Sequence, residues 1–153
     1  KKQFITVIGV DLNESAVKLC QRKNLFVKKQ DAAHTKFKNH TFDIVRAQNI
    51  LEHLSQPEKL LIEAKRILKR DGYLVIHAPT HFSTLYPITN FWDDYTHIRP
   101  FTKRGIYRLL TDFNFQIIYF KGYTVGRNPL ETVLGKILEK FIPFGWFVIA
   151  RKI

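Results

Sequence analysis

Residues 5–16 read ITVIGVDLNESA, a β-branched apolar run that ends on an acid and passes straight into a helix start. That juncture narrows the fold more than any other stretch of the chain. An acid at the C-terminal end of a strand, beside a helix N-terminus, is how nucleotide-binding α/β sheets present a carboxylate to the two hydroxyls of a ribose. Asp11 occupies that place. The glycine-rich loop that stands about 20 residues before such an acid has no room here, because only KKQF lies upstream. The chain also opens on Lys1 and contains no methionine. Both facts predict a fragment, a processed product or the ordered part of something longer, whose glycine-rich loop precedes Lys1.

The alternation continues downstream. A helix is predicted over residues 14–22 with Asn13 as N-cap, then strands over 25–29 and 42–47, the latter reading FDIVRA. Ser55-Gln56-Pro57-Glu58 has a capping-box pattern with proline in the first turn. The helix it starts carries Leu60, Leu61, Ala64, Ile67 and Leu68 on one face and is expected to stop near Gly72. YLVIH, 73–77, reads as a strand, followed by an irregular aromatic-rich stretch over 81–101. Thr102 is the expected cap of a further helix with Ile106, Leu109, Leu110 and Phe113 inward. A strand over 115–120, an amphipathic helix over 129–141 and a last strand over 146–150 complete the pattern. Without repeats, low-complexity tracts or linkers, this predicts one domain over 1–153. Its fold class is α/β, a doubly wound, mostly parallel sheet with helices on both faces.

Composition sets the outer limits. Hydrophobic residues make up 45% of the chain, enough for a sizeable core. No apolar run approaches the roughly 18 residues that a membrane span requires, and no signal-like segment is present. A lone cysteine, Cys20, fits a reducing cytoplasm and a place on the inner face of the first helix with Ala16 and Val17. The net charge of +12 is spread along the chain. Its longest cluster, KRILKR at 65–70, reads as a solvated face, which disfavours nucleic acid as a partner.

Taken in order, these motifs resemble the class I S-adenosylmethionine-dependent methyltransferases, in particular their small-molecule branch, over nearly the whole chain. VIGVD, 7–11, is similar to the second strand of that fold, with Asp11 in the place of the ribose-binding acid. Asp31-Ala32 resembles the pair after the third strand that reads adenine. FDIVRAQNILEHL, 42–54, resembles the fourth strand and the turn that follows it. KRDG, 69–72, sits where a proline-glycine-glycine turn often stands. The resemblance implies a Rossmann-like sheet with an antiparallel last strand and S-adenosylmethionine as cofactor. It places Asp11, Leu12, Asp31, Ala32, Gln48 and Asn49 around that cofactor, and makes the acceptor a small molecule, a glycan or a lipid precursor. In such a sheet the missing first strand would lie between those at 4–10 and 42–47, leaving a gap.

A sulfonium methyl group is already a strong electrophile, so the protein's task is to align a nucleophile and exclude water. The segment DDYTHIRPFT, 93–102, is the candidate for acceptor contacts, with His97 as general base. A plainer reading has His97 and Arg99 bracing the aspartates of their own loop. His53 is expected to orient its turn. His77 and His81 flank Pro79, which breaks a helical pair, so no metal site is expected there. The helix over 129–141 puts Leu130, Val133, Leu134, Ile137, Leu138 and Phe141 on one side. That stripe suits packing on the sheet, or peripheral contact with a membrane or a hydrophobic substrate. A non-catalytic remnant that keeps the fold as a binding or scaffold module is the alternative function.

Overall fold

The computed structural model describes residues 6–85, 90–124 and 141–153. In chain order its elements are β1 (Gly9–Asp11), α1 (Glu14–Arg22), β2 (Val27–Lys29), β3 (Phe42–Gln48), α2 (Pro57–Ile67), β4 (Leu68–Pro79), α3 (Lys103–Asp112), β5 (Phe115–Tyr123) and β6 (Gly145–Lys152). Three short 3-10 turns, Leu51–His53, His81–Leu85 and Phe91–Asp93, connect them.

The strands form two sheets. β1 and β2 pair in parallel, while the larger sheet has the order β3-β4-β6-β5. β3 and β4 are parallel because α2 carries the chain back between them; β6 runs antiparallel to both β4 and β5. The antiparallel last strand is the one the family resemblance implied. β1 and β3 share no ladder, so the parallel strands do not form one continuous sheet.

Alternation on the central strands builds the core. Leu74, Ile76 and Ala78 of β4 point to one face and are fully buried, as are Val148 and Ala150 opposite them on β6. Leu60, Leu61 and Ala64 of α2 and Ile106 and Leu110 of α3 close over that face. Each fully buried Leu or Ile is worth about 1.5–3 kcal/mol relative to exposure.

Local capping follows the sequence in two helices of three. Asn13 Oδ1 accepts from the N–H groups of Ser15 (2.9 Å) and Ala16 (3.2 Å) at the start of α1. Thr102 Oγ1 accepts from Gly105 N–H (3.0 Å) at the start of α3. The capping box expected at 55–58 does not form: Gln56 is the N-cap of α2 without a side-chain bond, and Pro57, already at helical φ, opens the first turn.

Several details differ from expectation. β1 begins at Gly9, since residues 6–8 find no ladder partner. β2 starts at Val27, not at 25. α2 ends at Ile67, five residues short of Gly72, because Leu68 is already extended and pairs with Phe42. The left-handed residue in the KRDG turn is Asp71 (φ 59°), and Gly72 does not have positive φ. Gly72 is required by space instead: a Cβ there would sit 3.1 Å from the Asp43 and Lys69 carbonyl oxygens and from Leu68 Cδ2. Almost all of the helix expected over 129–141 lies outside the described residues; Phe141 is exposed in a turn. Among the described residues, no helix is long and apolar enough to cross a membrane.

Candidate functional site

Where β1 and β3 fail to pair, a cleft of about 1020 Å³ opens between the two sheets. Asp11, Leu12, Asp31, Ala32, Gln48 and Asn49 all line it. They come from the ends of β1 and β3 and from the loop after β2, the end of an α/β sheet where ligands bind.

Asp11 is set by its own chain. Its Oδ1 accepts the Asn13 N–H at 2.7 Å, which fixes the carboxylate at the N-terminus of α1 and leaves its second oxygen available. Asp31 does the same in its loop, accepting the Ala33 N–H at 2.8 Å. Leu12, 64% exposed, offers an apolar surface beside Asp11. Asn49 turns the chain off β3 with φ 48° and donates its N–H to the His77 carbonyl (2.9 Å). Left-handed backbone at this point suits asparagine better than most residues.

The loop carrying Asp31 is anchored by Arg66, in the cluster read from sequence as a solvated face. Its guanidinium donates to both Glu63 carboxylate oxygens (2.6 and 2.8 Å) and to the Phe37 carbonyl and Asn39 Oδ1 (both 2.7 Å). Glu63 also accepts from the Thr35 N–H (2.8 Å) and from the Thr35 hydroxyl. The Arg66 bond, with those from Thr35, holds the buried Glu63 carboxyl down at about 2 against the cost of burial. Sequence periodicity placed Arg66 outside; its loop partners, Phe37 and Asn39, lie 29 and 27 positions away in the chain and leave no local signal.

Across the cleft, the segment after Phe91–Asp93 docks on the Leu51–His53 turn. Ile98 N–H donates to the Glu52 carbonyl (2.8 Å), and Arg99 Nη2 donates to the Ser55 carbonyl (2.8 Å). Arg99 therefore does not brace the aspartates of its loop. The Thr96 hydroxyl gives its proton to Asp94 Oδ1 (2.6 Å), so its oxygen accepts from His53 Nδ1–H at 2.9 Å. His97 Nδ1–H donates to the Phe91 carbonyl (2.6 Å), and its ring stacks on Phe91 at 4.4 Å. His97 Nε2 lies 3.9 Å from Asp94 Oδ2. Of this group His53 and Thr96 line the cleft, and the His97 ring sits 4.6 Å from that of His53. Glu52 had no part in the sequence reading. It is 2% exposed, burial pushes its carboxyl up to about 7, and its Oε2 has no hydrogen-bond partner. An acid inside the apolar run NILEHL was the available signal.

His77 packs between Tyr123 and Phe147, and His81 lies against Phe82.

A mixed Rossmann-type sheet with two strand-end aspartates facing one cleft defines a nucleoside-binding α/β domain. Residues 1–76 match the family model described as a methyltransferase domain. An uncharacterised protein of Methanocaldococcus jannaschii is 33% identical over 75 residues, which cover 49% of this chain and 37% of that protein. The phthiotriol/phenolphthiotriol dimycocerosates methyltransferase 1 of Mycobacterium ulcerans is 35% identical over 74 residues, covering 44% and 26%. The match thus spans only between a quarter and two-fifths of the length of these curated relatives. The crystal structure of a SAM-dependent methyltransferase from Archaeoglobus fulgidus superposes with a TM-score of 0.74 at 27% identity, over 95% of this chain and 75% of that one. Residues 1–76 thus carry a methyltransferase domain, and the fold is that of the S-adenosylmethionine-dependent methyltransferases, whose cofactor is S-adenosylmethionine.

The cleft suits that cofactor. It offers a carboxylate oxygen at Asp11 for a diol, and apolar surface at Leu12 and Ala32. A second acid, Asp31, can accept from an amino group.

Proposed function

We propose that this protein transfers a methyl group from S-adenosylmethionine to a small-molecule, glycan or lipid-precursor acceptor. The observation that carries the reading is the convergence of Asp11 and Asp31 on one cleft, with His53 at its other wall. When bound, the cofactor supplies a methyl group on a positively charged sulfur. Asp11 binds the ribose hydroxyls; Asp31, Ala32 and Leu12 hold the adenine; Gln48 and Asn49 supply polar contacts at the end of β3. His53, held by Thr96, borders the acceptor end. His97, with Nδ1 committed to the Phe91 carbonyl, keeps a lone pair at Nε2 able to take the acceptor's proton.

An apolar acceptor is favoured by the surface beside this end. Trp92 (57%), Tyr95 (96%) and Ile98 (46%) are exposed on the segment that carries His97. The partial likeness to a mycobacterial lipid methyltransferase points the same way. The domain is proposed to act in the cytoplasm, where its cofactor is made.

Incubation of the intact protein with methyl-labelled S-adenosylmethionine tests the reading against separate lipid-soluble and water-soluble metabolite fractions. Label entering either fraction supports methyl transfer; label in the lipid-soluble fraction supports the apolar acceptor, and label in the aqueous fraction alone assigns a polar small molecule or glycan. Tight cofactor binding with no transfer to either fraction favours the binding-module alternative.

A further inference from the structure

We propose that Glu52, His53 and His97 form a binding site for a divalent transition-metal ion at the acceptor end of the cleft. Each of the three offers one ligand-capable atom, and these atoms lie within 4.8 Å of one another. They come from separate stretches: the Leu51–His53 turn supplies two and the segment after Phe91–Asp93 supplies the third. Hydrogen bonding has fixed the state of both rings. His97 Nδ1–H is used on the Phe91 carbonyl, and His53 Nδ1–H on the Thr96 hydroxyl, which itself points its proton at Asp94. Each Nε2 is therefore left as a lone pair. Imidazoles that bind metals are oriented in this way, by a carbonyl or a carboxylate-backed partner on the far nitrogen.

Glu52 supplies an independent sign. Its Oε2 is buried without any partner, on a side chain grouped with the two imidazoles. A buried carboxyl oxygen without a partner, gathered with two imidazoles, is a seat that a cation can fill. Two imidazoles and one carboxylate suit Zn²⁺ or Fe²⁺, whereas Mg²⁺ and Ca²⁺ call for oxygen ligands. Three protein ligands leave a coordination position open, and His53 and Thr96 border the cleft. Given the methyltransferase reading on which this role rests, the cation would hold the acceptor's oxygen or nitrogen there. His97 would then serve the acceptor through the cation instead of taking its proton directly.

Titration of the metal-free intact protein with Co²⁺, followed by its visible absorption, and with Zn²⁺ in competition tests the site. One equivalent of Co²⁺ should bind with low-symmetry absorption bands, be displaced by Zn²⁺ and resist excess Mg²⁺. His97→Ala and the isosteric Glu52→Gln should abolish those bands. Thr96→Val, which removes only the partner of His53, should weaken binding roughly 10–100-fold. His40→Ala, a histidine bonded to Leu68 and Lys152 instead, should change nothing. Absence of binding would overturn the proposal. So would binding that survives both Glu52→Gln and His97→Ala in protein of unchanged circular dichroism. Cofactor affinity measured on the same samples separates the two readings. Metal failure with cofactor retained rejects the site alone, and cofactor failure with metal retained rejects the methyltransferase reading.

Discussion

Asp11 owes its position to residues two places away: Asn13 caps α1 with its side chain and holds the Asp11 carboxylate with its N–H. Such short-range geometry is written in the chain and pointed to Asp11, whereas Leu12, Asp31 and Ala32 were picked out through the family resemblance; all four line the cleft. Glu52, Thr96 and Asp94 could not, because their partners are supplied by the docking of one loop on another. His97 lies between these cases. Its chemistry was legible, but not the Phe91 carbonyl that sets its tautomer. At this scale we expect His97→Ala to leave cofactor affinity unchanged and to lower turnover by roughly 10²–10⁴-fold. Single-turnover kinetics with saturating cofactor checks this; a loss confined to cofactor binding would make His97 a structural residue.

Among the elements, α2 does two jobs. Its apolar face closes the core, and Arg66 in its last turn holds the loop that bears Asp31. The apolar face was legible from helical spacing. The Arg66 cluster was not, since spacing reports which side of a helix is apolar and says nothing of a distant loop folding over the polar side. The Glu63 carboxyl falls from its ordinary 4.5 to about 2 on folding, so its contribution to stability is complete above pH 4.5 and is lost as pH falls toward 2. That contribution is on the order of 3 kcal/mol. Arg66→Ala should destabilise the protein by roughly 1.5–3 kcal/mol at neutral pH, the range for lost hydrogen bonds to a charged group. It should also flatten the pH dependence between 4.5 and 2. Urea melts at pH 6 and pH 3 measure both effects; equal losses at the two pH values would show that Glu63 carries no such linkage. The end of α2 was misread for a related reason. KRDG has the composition of a helix stop, but pairing of Leu68 with Phe42 ends the helix first.

For the molecule as a whole, the alternation of strands and helices was enough to anticipate the α/β class. The split between the β1-β2 pair and the β3-β4-β6-β5 sheet has a dynamic consequence. β4 and β6 are paired on both edges and bury Leu74, Ile76 and Val148 completely, whereas β1 is three residues long with one paired edge. Local opening follows such differences in burial and pairing. Amide hydrogen exchange should therefore be much faster in β1 and β2 than in β4 and β6, with cofactor narrowing the difference by bridging the cleft. Equal protection in both sheets without cofactor would show that they unfold as one unit.

The central claim is that the cleft between these sheets is built around Asp11 for S-adenosylmethionine. Calorimetric titration of the intact protein and its Asp11→Ala variant tests it most directly. The account predicts binding on the order of micromolar, weakened by about 1.5–3 kcal/mol in Asp11→Ala, the range for a lost hydrogen bond to a charged group. Thermal stability without cofactor should be nearly unchanged. Unaltered cofactor affinity in a variant that is instead destabilised would contradict the account and make Asp11 a turn residue at the start of α1.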